Sequence, residues 1–89
     1  MANHKSALKR QRQDEKRRLR NRYHRGRMRT TIRAFRSAIE AGDMDTAATL
    51  LASAISLTDR AQTKGVIHKN TASRKISRLQ AAYNAASAA

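Results

Sequence analysis

No proline interrupts this chain, and from Lys5 to Ala41 thirty-seven consecutive residues contain one glycine and fourteen of the twenty lysines and arginines. Proline ends helices most reliably, through its missing N–H and the clash of its ring with the preceding turn. Without it, a stretch so rich in arginine has every local reason to form one continuous helix. Such a helix would run roughly 55 Å at about 1.5 Å per residue. Two shorter helical segments follow, so its end is expected to pack with them while its basic beginning projects.

Material for a core is thin. Hydrophobic residues make up 39% of the chain, but seventeen are alanine, and Leu, Ile, Val and Phe together number thirteen. With a net charge of +14, that composition lies toward the disordered side of the usual boundary. Against disorder stand the lack of proline and the helical spacing of the large apolar residues. Eighty-nine residues suffice for one domain with a modest core. The expected behaviour is a loosely packed free chain that tightens when a partner neutralises its self-repulsion.

Charge is unevenly placed. Residues 1–36 carry fourteen bases and two acids, residues 37–63 one base and four acids, and residues 64–89 five bases and no acid. A solvated surface helix usually mixes its signs. Here the middle segment is spared the positive charge, as expected if the outer two meet an anion and the middle one packs between them.

In the first half of the long helix, bases at 9, 10, 12, 16, 17, 18, 20, 22, 25, 27 and 29 go all the way round the axis, while Leu8, Leu19 and Tyr23 share one narrow line. In the second half Met28, Ile32, Phe35 and Ile39 step by four, three and four, which is an amphipathic stripe. At about 100° per residue that stripe lies nearly opposite Leu19 and Tyr23. The two halves therefore bury no common face. Residues 1–27 are assigned to a basic extension that meets the partner, residues 28–86 to a bundle, and residues 87–89 to a frayed tail.

Asn3 or Ser6 can cap the first helix, Gly42 suits the left-handed position after it, and Asp43 suits the next N-cap. So tight a turn makes the second helix antiparallel to the first. From Met44 to Thr63 the apolar positions Ala47, Ala48, Leu50, Leu51, Ala54, Ile55, Leu57 and Ala61 cover more than one face, the pattern of a helix packed on two sides. Gly65 closes it, with Lys64 in its last turn. Val66 and Ile67 can cover the end of the core, and His68 or Asn70 can cap a third helix. There Ala72, Ile76, Leu79, Tyr83 and Ala86 form one seam, with Arg74 and Arg78 on the other side. The predicted fold is all-α: a three-helix, up-down-up bundle with a long, basic, overhanging first helix. No stretch shows the period-two alternation of a strand.

Fourteen of the twenty bases are arginine, whose planar fork binds phosphate oxygens in pairs and stacks on exposed bases. One flat duplex face would leave many of them unpaired, whereas a crevice between several RNA helices would engage every side of the rod, Arg12, Arg25, Arg27 and Arg29 included. Tyr23 and His24 can stack on an unpaired base, or Tyr23 can simply cover Leu19. His4, His24 and His68 are far apart and lack clustered acids, so neither a zinc site nor a catalytic site is expected. Asp14 and Glu15 are expected to partner nearby arginines along the helix. There is no glycine-rich phosphate loop and no nucleophile motif, which leaves no basis for an enzyme, a cofactor or a small-molecule substrate. Cysteine is absent, which rules out disulfides and thiolate metal sites and suits a reducing compartment. No apolar run approaches the roughly 18 residues of a membrane span, and MANHKSALKR lacks the hydrophobic segment of a secretory signal. The expected location is the cytosol.

Three stretches carry a resemblance: MANHKSALKRQRQDEKRRLRNR at the start, AIEAGDMDTA at the first turn, and KGVIHKNTASRKISRL in the third segment. In order and spacing they resemble the bacterial small-subunit ribosomal protein S20 family, from Met1 to about Leu79. That resemblance implies a three-helix bundle that binds small-subunit ribosomal RNA directly, early in assembly, beside other components of the subunit. It implies a ribosome-bound cytoplasmic protein that is not a homo-oligomer. Carried over by position, the implied RNA-binding residues are Asn3, Lys5, Ser6, Lys9 and Arg10 at the tip and Lys16, Arg17, Arg20, Asn21 and Arg22 along the rod. His68, Lys69, Asn70, Arg74 and Arg78 follow around the third helix. Ile76 stands where the family is often basic, and the tail after Leu79 lacks the lysines of many members. No RNA contact is therefore carried over to the C-terminal end.

A sequence-tolerant DNA-binding nucleoid protein explains the charge equally well. A basic amphipathic membrane peptide fits less well, since it needs an apolar face opposite a charged one and the first half-helix has bases all round. Circular dichroism of the free protein at low salt is expected to show incomplete helicity that rises when RNA is added. A fully helical spectrum with a sharp melt before any RNA is present would contradict coupled folding.

Overall fold

A computed structural model describes the chain from Ala2 to Ala88, with side chains from Ser6 onward. Three helices follow one another: α1 (Ala2–Ala41), α2 (Met44–Thr63) and α3 (Lys69–Ala88), and no strand occurs among the described residues. α1 is helical from Ala2, so Ser6 lies inside the helix and neither it nor Asn3 is the N-cap. The helix formers Ala7, Leu8, Lys9 and Arg10 carry it to the start of the described chain. At the other end of the molecule the alanine-rich residues, expected to fray at 87–89, are helical as far as Ala88.

Both turns close in the same way. Gly42 (φ 75°) and Gly65 (φ 76°) sit in the left-handed region, which costs other residues steric strain and glycine very little. After α1, Gly42 N–H donates to Ile39 O (3.1 Å) and Asp43 N–H to Ala38 O (3.0 Å). After α2, Gly65 N–H donates to Gln62 O (3.0 Å) and Val66 N–H to Ala61 O (2.8 Å). Each pair satisfies carbonyls that a helix end would otherwise leave bare. Asp43 then caps α2, accepting from the Thr46 hydroxyl (2.6 Å) and the Thr46 N–H (3.3 Å). Those two bonds, the hydroxyl's first, hold its carboxyl below the usual range.

α2 is the middle of the fold. Its buried residues are Ala47, Ala54, Thr58 and Ala61, all fully enclosed, and it packs against both α1 and α3. Small side chains on that line let two helices approach it closely. Ala48, expected to be apolar surface for packing, is exposed; Thr58 is buried instead, its hydroxyl donating to Ala54 O at 2.7 Å. That bond satisfies the one polar group the core encloses. Phe35 and Ala38 from α1 and Leu79 from α3 complete the cluster, with Ile32, Ile39, Leu50, Leu51 and Tyr83 packed around it. Phe35 is fully buried, worth about 1.5–3 kcal/mol of hydrophobic transfer. α1 and α3 leave between them a cleft of about 120 Å³, lined by Ile32, Phe35, Arg36, Lys75, Arg78, Leu79 and Ala82. Arg78, expected to point away from the bundle, stands at this cleft.

The molecule measures 67 × 21 × 14 Å, with a radius of gyration of 17.6 Å. A compact chain of this length would have about 12 Å, and the excess is the rod. Arg20 Nη2 reaches the carbonyl of Lys64, the C-cap of α2, at 3.5 Å. The bundle therefore comes level with Arg20, although Met28 is the first buried side chain of α1 among the described residues. Everything from Ala2 to Leu19 projects, roughly 27 Å of helix at 1.5 Å per residue.

Two glycines test this backbone with opposite signs. A Cβ at Gly65 meets nothing within 4 Å but is forced into a positive φ, so Gly65→Ala should cost about 1 kcal/mol. Gly26 lies inside α1, also with open space around a Cβ, so Gly26→Ala should stabilise by about 1 kcal/mol. Thermal melting should move down for the first variant and up for the second.

Candidate nucleic-acid interface

Along the projecting rod every basic side chain from Lys9 to Arg20 is exposed, and so are Arg22, Arg25, Arg27 and Arg29. At about 100° per residue their directions leave one widest gap, which Leu8 and Leu19 fill, with Tyr23 just beyond its edge. Those three are the exposed large hydrophobics, at 47%, 65% and 58%. Ser6 is exposed as well, while the side chains of Asn3 and Lys5 lie outside the described residues. Asp14 and Glu15 line one surface strip with Arg10 and Arg18.

Tyr23 is held by its own helix. Arg27 sits over the ring at 5.6 Å and donates from Nη1 to the phenol oxygen at 3.2 Å. His24 meets the ring edge-on at 5.5 Å and 71°. One ring face thus carries a cation, and the residue's 58% exposure leaves room for a stacked base.

The core stripe of α1 does not stop at Met28. Four residues earlier stands His24 and three before that Asn21, and both are half-buried. Counting only apolar residues hides this continuation; the spacing itself was the available signal. The Asn21 amide oxygen is buried without a hydrogen-bond partner. Partial burial, followed by the charges of Lys64, Arg20, Arg60 and Arg27, holds the His24 imidazole below its usual range. Arg60 and Lys64 were not among the residues predicted from sequence, because only the antiparallel register brings the end of α2 to this part of α1.

At the start of α3, His68 is the N-cap: Asn70 N–H donates to its Nδ1 at 3.0 Å and Ala72 N–H to its carbonyl at 3.0 Å. Asn70 is instead the second helical residue. An accepting Nδ1 assigns the neutral tautomer with its hydrogen on Nε2, which remains a free donor. Lys69, Asn70, Arg74 and Arg78 are all exposed. Arg36 and Lys75, missed by sequence reasoning, join Arg78 at the α1–α3 cleft. Among the described residues no group of three potential ligands could hold a metal ion.

The family model for ribosomal protein S20 matches residues 2–84. This chain belongs to the ribosomal protein S20 family. Among its relatives, the small ribosomal subunit protein bS20 of Syntrophobacter fumaroxidans is 53% identical over 85 residues, covering 96% of this chain and 99% of the relative. The bS20 of Maridesulfovibrio salexigens is 56% identical over 84 residues (94% and 97% coverage). That of Desulforapulum autotrophicum is 60% identical over 79 residues (89% and 94%). An S20 chain is a structural component of the ribosome and not an enzyme. The S20 match takes in the rod, both turns and α3 through Asn84, so the geometry above belongs to the part of the chain that defines the family.

His68 can be separated from any ligand role by its cap. Replacing it with alanine should lower stability by about 1 kcal/mol, and asparagine, a stronger capping residue, should restore it. Equal melting temperatures for His68→Ala and the parent chain would show that the Nδ1 hydrogen bond contributes nothing.

Proposed function

We propose that this chain is a structural constituent of the small ribosomal subunit that binds small-subunit ribosomal RNA directly and braces the junction of several RNA helices during assembly. The observation that carries the reading is the projecting rod, exposed on all sides and basic everywhere but along the line of Leu8 and Leu19, in a member of the S20 family. Each phosphate that a base neutralises releases condensed counterion, and a rod with donors around most of its circumference gains most where RNA meets it on several sides.

In this reading the extension of α1 enters the RNA, and the stripe from Met28 to Ile39 holds the rod to the bundle. The interface comprises the bases of the rod together with Ser6, Asn21, His68, Lys69, Asn70, Arg74 and Arg78, and Asn3 and Lys5 at the tip. Tyr23 offers a stacking face. The protein acts in the cytoplasm as a single copy beside the other small-subunit components, because two such rods repel one another unless RNA lies between them. No helix among the described residues is long and apolar enough to cross a membrane.

Removing residues 1–18 tests this division of labour. It deletes seven bases and leaves Arg20 and its bond to α2 intact, so the bundle's melting should change little while RNA affinity falls. The slope of log affinity against log salt should become shallower by about 0.7–0.9 for each phosphate that the shortened rod no longer neutralises. A truncated chain that binds folded small-subunit RNA as before would contradict the proposal, as would equal binding of the full chain to an equal mass of duplex DNA.

A further inference from the structure

Antiparallel packing sets the end of α2 beside the point where α1 leaves the bundle. There the charges of four bases from two helices act on one half-buried imidazole, His24: Arg20 and Arg27 on α1, Arg60 in the last turn of α2 and Lys64 at its C-cap. Arg20 Nη2 lies 3.5 Å from the Lys64 carbonyl, so its guanidinium is drawn toward the same place. No carboxylate is among the charges that act on His24, and α3 adds none of either sign. The one negative influence is the C-terminal end of α2, equivalent to about half an elementary charge. Four full positive charges outweigh it.

Arginine and lysine can only donate hydrogen bonds, so a ligand for this cluster must present acceptors and negative charge. We propose that Arg20, His24, Arg60 and Lys64 form a clamp for one backbone phosphate of the bound RNA, and that the imidazole takes up one proton from solvent as the phosphate arrives. The clamp rests on the RNA-binding reading and adds to it a site that joins two helices, with a titratable group at its centre. In the free chain, partial burial and then the nearby bases disfavour protonation of His24. A phosphodiester set among them places a negative charge beside the ring, and an opposite charge within about 4–6 Å favours the protonated form. Imidazolium then donates from both nitrogens, and the negative charge ties the α2–α3 turn to the rod.

Binding and proton uptake are therefore linked. His24 has the higher pKa in the complex, so affinity rises as pH falls below that bound-state value. The rise levels off below the free-state value, which lies under the ordinary 6.5.

The test is affinity for purified small-subunit ribosomal RNA at fixed ionic strength, near about pH 6 and about pH 8, for the wild type, His24→Gln and Lys64→Gln. The wild type should bind several-fold tighter at the lower pH. His24→Gln should lose most of that ratio, and Lys64→Gln, by removing a like charge, should move the rise to higher pH. If His24→Gln keeps the wild-type ratio, the clamp is overturned while the RNA-binding reading stands. A wild type that fails to bind the RNA at either pH overturns both. NMR titration of the His24 ring with inorganic phosphate alone separates the two sources of phosphate. The ring should titrate as in buffer, and a shift matching that produced by RNA would make the site one for free phosphate and overturn the assignment.

Discussion

The structure depends on the continuity of one helix through two environments. Starting a helix costs several fixed dihedrals for each first hydrogen bond, whereas extending one adds a bond for every residue fixed. In α1 the start is supplied by the packed end, where Phe35 and Ala38 are locked against α2 and α3. From there the helix needs only to propagate toward Ala2, and it does so against repulsion between bases on neighbouring turns. The absence of proline leaves no kink along the way, so the rod carries its charge straight out from the bundle.

That arrangement requires α2 to be narrow and nearly free of bases. A line of Ala47, Ala54, Thr58 and Ala61 lets one helix on each side approach it, and its segment of the chain is the only one with an excess of acids. The two positive helices are thereby held apart by a third of opposite tendency. Their side chains meet through Phe35 and Leu79 at the core, while Arg36, Lys75 and Arg78 stand around the cleft that remains.

Between rod and bundle the change is gradual. The stripe that is apolar from Met28 onward continues as His24 and Asn21, half-buried polar residues at positions where a longer bundle would have placed Leu or Ile. Burying an unpaired amide oxygen such as that of Asn21 is costly, and gathering bases around His24 opposes its protonation. These are the places where the fold gives up stability at its own interior edge, and at one of them, His24, bases from two helices act together.

Most of the architecture was legible in the chain itself. Glycines at 42 and 65 mark both turns because only glycine occupies a positive φ without strain, and the Met28–Ile39 and Ala72–Ala86 spacings mark the faces that α1 and α3 bury. The bases around the rod follow from position alone, since an isolated helix presents all its sides. What periodicity cannot supply is the axial offset of one helix against another. The tertiary register alone brought Lys64 to Arg20 and Arg60 to His24, enclosed Thr58 while leaving Ala48 exposed, and set Arg78 at the α1–α3 cleft. A helical repeat determines which face a residue occupies; which residue of another helix lies opposite depends on the length and hydrogen bonding of the turn between them.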